Sequence, residues 1–317
     1  MENFWTKLNR PIFVLAPMAD VTDCVFRTLI NKYSKPDVFW TEFVSADGLA
    51  HPVAREKLLI DFKFSPAEHP IVAQIFGGKP ENIKIASVLC KELGFDGIDI
   101  NMGCPDKSVE KQCAGSGMIK DPALAKEVIN AAREGGGGLP ISVKTRIGYN
   151  KNEIETWIRG LLEQDLAVLT VHLRTRKEMS DVPAHWDLMK RIIEIRDELG
   201  VKTLIFGNGD ALDLADAKMK QEESGCDGVM LGRAIFGNPW LFSGKVPTVK
   251  EKLEVMVEHT KLFEQMLGGI KNFAIMKKHY KAYVNGFDGA KELRMKLMEA
   301  EKADQVAQIT NDFLGQI

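Results

Sequence analysis

Short apolar runs rich in β-branched residues alternate along this chain with longer segments whose apolar positions recur every three or four residues. The runs are IFVLAPMA from Ile12, DVFWTEF from Asp37, PIVAQIFG from Pro70 and GIDINMG from Gly97. Four more follow: PISVKTRIG from Pro140, LAVLTVHLR from Leu166, VKTLIFGNGD from Val201 and DGVMLGRAI from Asp227. Helical spacing fills the gaps, for example over 80–94, 122–134, 153–164, 186–199 and 211–224. Lys79-Pro80, Asp121-Pro122 and Asp210-Ala211 supply start signals, with Asp as a cap or Pro in the first turn. Continuous apolar strands separated by helices imply parallel pairing with both faces covered. Eight such units predict an α/β chain folded as a (β/α)8 TIM barrel. The alternative, an open doubly wound sheet, usually places G-x-G-x-x-G after its first strand, and here that strand ends in A-P-M-A. The glycine run at 135–138 reads as a loose loop at the non-catalytic end of the units. After Pro239 the strands stop, and helical patterns run over 248–267, 270–286, 289–299 and 301–314. The expected division is a barrel over 1–245 and a small all-helical domain over 246–317.

Composition narrows the class. Hydrophobic residues make up 45% and charged residues 27% of the 317, as in ordinary globular proteins. A formal net charge of −2 gives no global attraction to nucleic acid or anionic membrane, so any such surface is local. The five cysteines are scattered without a C-x-x-C pair, which argues against a disulfide framework or a zinc site and for a reducing compartment. The apolar run from Ile12 is short, holds Pro17 and leads into a helical pattern, so it reads as a buried strand rather than a signal peptide. No stretch approaches the ~18 apolar residues of a membrane helix. The expectation is a cytoplasmic protein with no membrane and no obligatory protein partner.

Barrel enzymes hold their chemistry at the C-terminal ends of the strands. Here those ends carry Pro17 and Met18, Glu42, Gln74, Asn101 and Cys104, Lys144 and Arg146, His172 and Arg174, Asn208 and Asp210, and Gly232 and Arg233. Cys104, in a Gly/Pro loop, is a candidate nucleophile or proton donor, or else a small residue packed in a turn. The last two strands end in G-N-G-D and L-G-R-A, glycine-rich turns suited to a phosphate group at a position where barrels often bind one. Lys144 and His172 face the same mouth, with Gln74 across it. A lysine there would stabilise negative charge on a reduced flavin, and a carboxamide could read the ring's amide-like edge. Taken singly, Lys144 could be a rim lysine, His172 a satisfied core histidine and Gln74 a strand-end hydrogen bonder.

The motifs together resemble one family. A-P-M-A-x-V-T-D from Ala16, V-A-Q-I-F-G from Val72 and D-I-N-M-G-C-P-x-x-x-V from Asp99 are similar to the tRNA-dihydrouridine synthases. A-G-S from Ala114, V-K-T-R-I-G from Val143, V-H-x-R from Val171, N-G-D, G-R-A and N-P-W-L-F from Asn238 extend the match. It continues more weakly through K-K-H-Y-x-x-Y from Lys277 and Leu293-Arg294. The resemblance implies FMN-dependent reduction of the C5=C6 bond of selected uridines in tRNA, with NADPH or NADH as electron source. It implies that Pro17, Met18 and Ala19 pack under the flavin, and that Gln74, Lys144 and His172 bind its ring and ribityl edges. Asn208, Gly209, Asp210, Gly232 and Arg233 would hold its phosphate end. Cys104 matches the family's proton donor and Asn101 a residue touching the target base. A thiol with a pKa not far above neutrality would serve that role, and the base must leave its stack to be reached. No metal is implied. Cys113 reads as a packing residue.

A local basic surface fits an RNA partner. Between 270 and 296 lie Lys271, Lys277, Lys278, Lys281, Lys291, Arg294 and Lys296 against Asp288 and Glu292. At ~100° per residue, Lys271, Lys277, Lys278 and Lys281 share a ~120° arc, opposite Phe273, Met276, Tyr280, Tyr283 and Val284. One face would dock and the other track phosphates. Arg174, Arg176 and the segment 177–185 flank the mouth and are candidates for choosing the uridine. Alternative readings are a flavin-dependent barrel dehydrogenase of a small molecule, a non-catalytic RNA-binding relative, and a non-redox phosphate-binding barrel.

Overall fold

The eight apolar runs form eight parallel strands: β1 (Ile12–Leu15), β2 (Phe39–Ser45), β3 (Ile71–Phe76), β4 (Gly97–Met102), β5 (Ile141–Arg146), β6 (Val168–His172), β7 (Leu204–Asn208) and β8 (Gly228–Leu231). This computed structural model describes residues 3–316. Each strand pairs with the next in sequence from β2 to β8, and β8 pairs with β1, Ile12 opposite Gly228. A bridge between Val14 and Val38, with the Asp37 amide donating to the Phe13 carbonyl at 3.0 Å, closes β1 against β2. The result is the expected barrel.

Side chains alternate across each strand, and the inward set changes character with height. Near the N-terminal end Ile12, Val14, Trp40, Val72, Val168, Leu204 and Phe206 form an apolar plug. Trp5, from the short helix Phe4–Lys7, closes it from below, 5.7 Å from the rings of both Trp40 and Phe206. Two residues further along the strands the inward set turns polar: Gln74 on β3, Asp99 and Asn101 on β4, Ser142 and Lys144 on β5. Burying polar groups at that height is costly unless they bond one another, and Gln74, Asp99, Asn101 and Ser142 do so.

The helices depart from the sequence pattern in instructive places. Asp121 caps Pro122–Gly136 as expected, its side chain accepting from the Leu124 amide. That helix continues through Gly135 and Gly136, so only the second half of the glycine run, Gly137 and Gly138, is a turn. A Cβ on Gly135 would lie 2.3 Å from the Lys84 carbonyl in the neighbouring helix Pro80–Glu92, and close helix packing explains the glycine. Asp210 is not a helix cap. The helix after β7 is Leu214–Ser224, capped by Asp213.

Four longer helices follow the barrel: Val249–Leu267, Met276–Tyr283, Ala290–Glu299 and Ala303–Leu314. The first lies against the barrel helix Cys24–Tyr33, where Glu258 binds Lys32 and the Tyr33 hydroxyl, each at 2.6 Å. His259 stacks on Phe26 at 4.8 Å, and His279 meets both rings edge-on. Met276–Tyr283 begins six residues later than the expected helix at 270. It buries Met276, His279, Tyr280 and Tyr283, and Lys278 and Lys281 remain exposed.

Candidate active site

The ends of β1, β5, β6, β7 and β8 surround a cavity of about 660 Å3. Its apolar wall is Ala16, Pro17, Met18 and Met230, and Lys144 and His172 reach in from β5 and β6. Gly209, Asp210, Gly232 and Arg233 close the end formed by the loops after β7 and β8. Nine residues expected at a cofactor therefore line one cavity: Pro17, Met18, Lys144, His172, Asn208, Gly209, Asp210, Gly232 and Arg233. Ala19 does not line it and lies exposed in the following turn. Gln74 does not line it either.

The charges in this cavity are ordered by burial and pairing. Burial, with Arg146 nearby, lowers the Lys144 ammonium to about 8. Burial and the surrounding cations Lys144, Arg146, Arg174 and Arg233 push His172 well below its ordinary value, so its ring is neutral. An Arg174 guanidinium nitrogen lies 3.2 Å from Nε2 of His172, and a guanidinium can only donate. The neutral ring therefore accepts at Nε2 and carries its proton on Nδ1. Arg174 also binds Asp210 and donates from Nε to the Val182 carbonyl at 2.6 Å. Asp210, at φ 51, takes Arg233 at 2.9 Å on its other oxygen. Burial would raise the Asp210 carboxyl, but Arg174 and its other partners hold it below the usual range. Lys144, Arg174 and Arg233 against one carboxylate leave this end of the barrel positive, which suits an anionic group.

Cys104 stands beside this cavity, two residues past β4. Its amide and that of Gly103 both donate to Oδ1 of Asn101, at 3.0 and 3.1 Å. Its carbonyl accepts from the amide and the hydroxyl of Ser116, each at 2.9 Å. Gly115 makes that turn possible: at φ 58, a Cβ there would sit 2.6 Å from the Cys104 carbonyl. The thiol is half-buried in a small apolar cluster with Phe76, Val109 and Ala114. Burial raises its pKa above the ordinary value, so the expected near-neutral thiol is corrected: Cys104 keeps its proton throughout the neutral range.

Several expected contacts are redirected. The Asn101 carboxamide is buried, holding the Cys104 loop with its oxygen and the Gln74 oxygen with its nitrogen at 3.1 Å. Gln74 in turn donates to Asp99 at 2.6 Å. Arg176 forms a paired contact with Glu110 at 3.0 and 2.8 Å and lies over Tyr149. Lys271 leaves the cationic face altogether. It lies half-buried in the turn before Met276–Tyr283 and pairs with Glu42 at 3.1 Å and Asp61 at 2.7 Å. Lys278 meets Asp20 at 3.1 Å at the surface, and Lys281 is exposed beside it.

Arg146 was visible at a strand end without a role. It donates to the carbonyls of Gly103 at 2.8 Å and of Thr175 and Met179 at 3.0 Å, fastening the Cys104 loop to the loop after β6. Glu42 likewise links two parts of the site. One oxygen accepts from the Asp20 amide, in the loop that carries Pro17 and Met18, and the other binds Lys271. The sequence signal for both was only a charged residue inside an apolar strand.

Comparisons with known proteins agree with this geometry. The sequence pattern of the family described as "Dihydrouridine synthase (Dus)" matches residues 14–317. A "Probable tRNA-dihydrouridine synthase" of Staphylococcus aureus (strain Mu50) is 44% identical, covering all of this chain and 97% of the relative. The "Probable tRNA-dihydrouridine synthase 2" of Bacillus subtilis (strain 168) is also 44% identical, over 98% of this chain and 97% of its own. Among solved structures, morphinone reductase superposes with a TM-score of 0.52 at 14% identity, covering 73% of this chain and 84% of its own. An old yellow enzyme homologue from Zymomonas mobilis gives 0.52 at 14%, over 75% and 89%. At that identity the likeness concerns the fold alone. The sequence matches run nearly end to end through the motifs that build the cavity and the Cys104 loop, and the chain belongs to the dihydrouridine synthase family.

Proposed function

We propose that this chain is an FMN-dependent tRNA-dihydrouridine synthase, reducing the C5=C6 bond of selected uridines in tRNA with NADPH or NADH as electron source. The observation that carries the reading is the Cys104 thiol, protonated at neutral pH, beside a cation-lined cavity at the mouth of the barrel. The residues present fit FMN. Pro17, Met18 and Met230 offer an apolar wall to a flat ring, and Lys144 places one positive charge beside it. Arg233 and the amides of the glycine turns at Gly209 and Gly232 suit the phosphate. FMN, when bound, supplies the hydride that adds to C6 of the uracil ring.

The chain's own residues do the rest. Cys104 holds the proton that C5 requires: the Sγ–H bond breaks, a C5–H bond forms, and a thiolate remains. Lys144 and Arg146 both favour that thiolate electrostatically, offsetting part of the burial that otherwise keeps the thiol neutral. Asn101, through the two amides it accepts, fixes where the thiol stands. Neutral His172 holds its ring in one orientation against Arg174. The helical segment 246–317 serves as the tRNA-binding domain, with Lys277, Lys278 and Lys281 toward phosphates. Arg174 and Arg176, expected to choose the uridine, are instead committed to Asp210 and to Glu110, so they shape the mouth rather than reach for the flipped nucleotide. Such a chain works in the cytoplasm, where its substrate is. None of the described helices is long and apolar enough to cross a membrane.

Purified protein should be yellow, release FMN on denaturation, and oxidise NADPH in the presence of tRNA lacking dihydrouridine. Cys104→Ala should retain FMN and tRNA binding and lose at least about a hundredfold in turnover. A colourless protein, or a Cys104→Ala variant forming dihydrouridine at the parent rate, would overturn the reading.

A further inference from the structure

Asp99 is buried at the centre of the barrel and does not itself line the cavity, in a position where an unpaired carboxylate would be costly. It sits in one row across three strands: the backbone register places Gln74 of β3 beside Asp99 of β4 and Asp99 beside Ser142 of β5. All three side chains point inward and bond. The Ser142 hydroxyl donates to Oδ1 of Asp99 at 2.6 Å, and Nε2 of Gln74 donates to Oδ2 at 2.6 Å. From Gln74 the chain continues to Asn101 at 3.1 Å, and from Asn101 to the amides of Gly103 and Cys104.

The direction of every bond in this row is fixed from both ends. At one end the backbone amides of Gly103 and Cys104 can only donate, so Asn101 must turn its oxygen to them. Its nitrogen is then left for Gln74, which must offer its oxygen and so points its own nitrogen at Asp99. At the other end an ionised carboxylate can only accept, which demands that same orientation of Gln74. Burial raises the Asp99 carboxyl only to about 6, with Ser142 and Gln74 resisting the rise, so it is an acceptor at neutral pH. Turning either carboxamide over would bring two donors or two acceptors together at once. In a buried row, each such mismatch costs about 1–3 kcal/mol.

We propose that Asp99 is a positioning residue for Cys104, acting through the row Gln74–Asn101 to hold the thiol-bearing loop in a single orientation. Asp99 touches neither substrate nor cofactor in this scheme. The inference rests on the proposed role of Cys104 for its catalytic consequence, but its geometric content stands apart from the reaction.

Two substitutions separate the oxygen acceptor from the charge. Asp99→Asn keeps an oxygen for Gln74 and can turn its new amide to the Ser142 hydroxyl, so the row survives. Asp99→Leu removes the acceptor and frees Gln74 to turn over. Both are made in a Cys113→Ser background, because Cys113 is exposed and Cys24, Cys90 and Cys226 are buried, leaving Cys104 as the accessible thiol. The first readout is the rate at which iodoacetamide alkylates Cys104 in the folded protein. The second is kcat and KM for tRNA.

Because Asp99 also favours the Lys144 charge, both readouts are taken at saturating FMN. Asp99→Leu should then change the alkylation rate severalfold and lower kcat about tenfold, with the KM for tRNA unchanged. Asp99→Asn should match the parent in both. If Asp99→Leu does not fold, Gln74→Met breaks the row at its middle and should alter Cys104 alkylation in the same way. A folded Asp99→Leu or Gln74→Met with parental alkylation and kcat would overturn the proposal. Altered alkylation in a protein that never reduces tRNA would retain the positioning role and remove the proposed function instead.

Discussion

Burial moves the two reactive groups at the mouth in opposite chemical senses. The Cys104 thiol keeps its proton to higher pH, whereas the Lys144 ammonium gives its proton up at about 8. Each group therefore sits in the form its proposed task needs below that pH: an acid that still has its proton, and a cation that is still charged. A pH dependence follows for cofactor retention. As pH rises through about 8, Lys144 loses its charge and FMN should bind more weakly; Lys144→Met should weaken binding at pH 7 and flatten the dependence. Fluorescence titration of FMN between pH 6 and 9 checks this, and a parent curve as flat as the variant's would remove Lys144 from the ring-binding role. Arg146 shows how a residue beside the chemistry can be structural. Its three carbonyl partners in two loops need a planar, forked donor that Lys could not replace.

At the scale of elements, the short helix Met276–Tyr283 divides its lysines by what surrounds them. Lys278 and Lys281 are exposed, and Lys277 is partly so. Lys271, on the same side of an ideal helix, is instead drawn in by two carboxylates; although burial opposes it, Glu42 and Asp61 raise its pKa. The two groups predict different phenotypes. Replacing Lys277, Lys278 and Lys281 by Ala should weaken tRNA binding and reduce the slope of log affinity against log salt, by roughly one for each phosphate no longer neutralised. Stability should hardly change. Lys271→Ala should instead destabilise the fold, on the order of 2–3 kcal/mol, because Glu42 is left buried without its partner. Filter-binding at several salt concentrations and urea unfolding separate the two. An unchanged salt slope in the triple variant would dismiss the lysine patch.

For the whole molecule, the seam between barrel and C-terminal helices is held by aromatic packing around two buried imidazoles. His259 and His279 lie against Phe26 and each other, and among the described residues neither Nε2 of His259 nor either nitrogen of His279 has a hydrogen-bond partner. Burial keeps His259 well below its ordinary value and lowers His279 to about 3. Both rings are neutral in the fold, whereas the unfolded chain takes up protons near 6.5. Stability from this seam is therefore fully present above about 6.5 and lost progressively as pH falls from there toward 3. The slope should reach about 1.4 kcal/mol per pH unit for each histidine. His279→Leu should remove its share of that acid sensitivity in urea unfolding at pH 4 to 7. A variant with the parental slope would show that the acid response comes from other groups.

The barrel, the strand order and the positions of the strand ends were legible in the chain because continuous apolar runs and helix spacing are local patterns, each carried by a few neighbouring residues. So were Cys104, Lys144, His172 and the glycine turns at 209 and 232, since a strand-end position follows from counting along an element. Hydrogen-bond partners do not follow from counting. Gln74 and Asn101 looked like ring and base readers, and they bond Asp99 and the Cys104 loop because adjacent strands bring those rows side by side at one height. Gly135 and Gly136 end a helix where a neighbouring helix approaches closely, and only Gly137 and Gly138 turn away from it. Lys271 left its helical arc for two carboxylates far away in sequence. Local periodicity specifies which face a residue occupies. Which group stands opposite it, and so its charge, its bonds and its role, is set by contacts between residues distant along the chain.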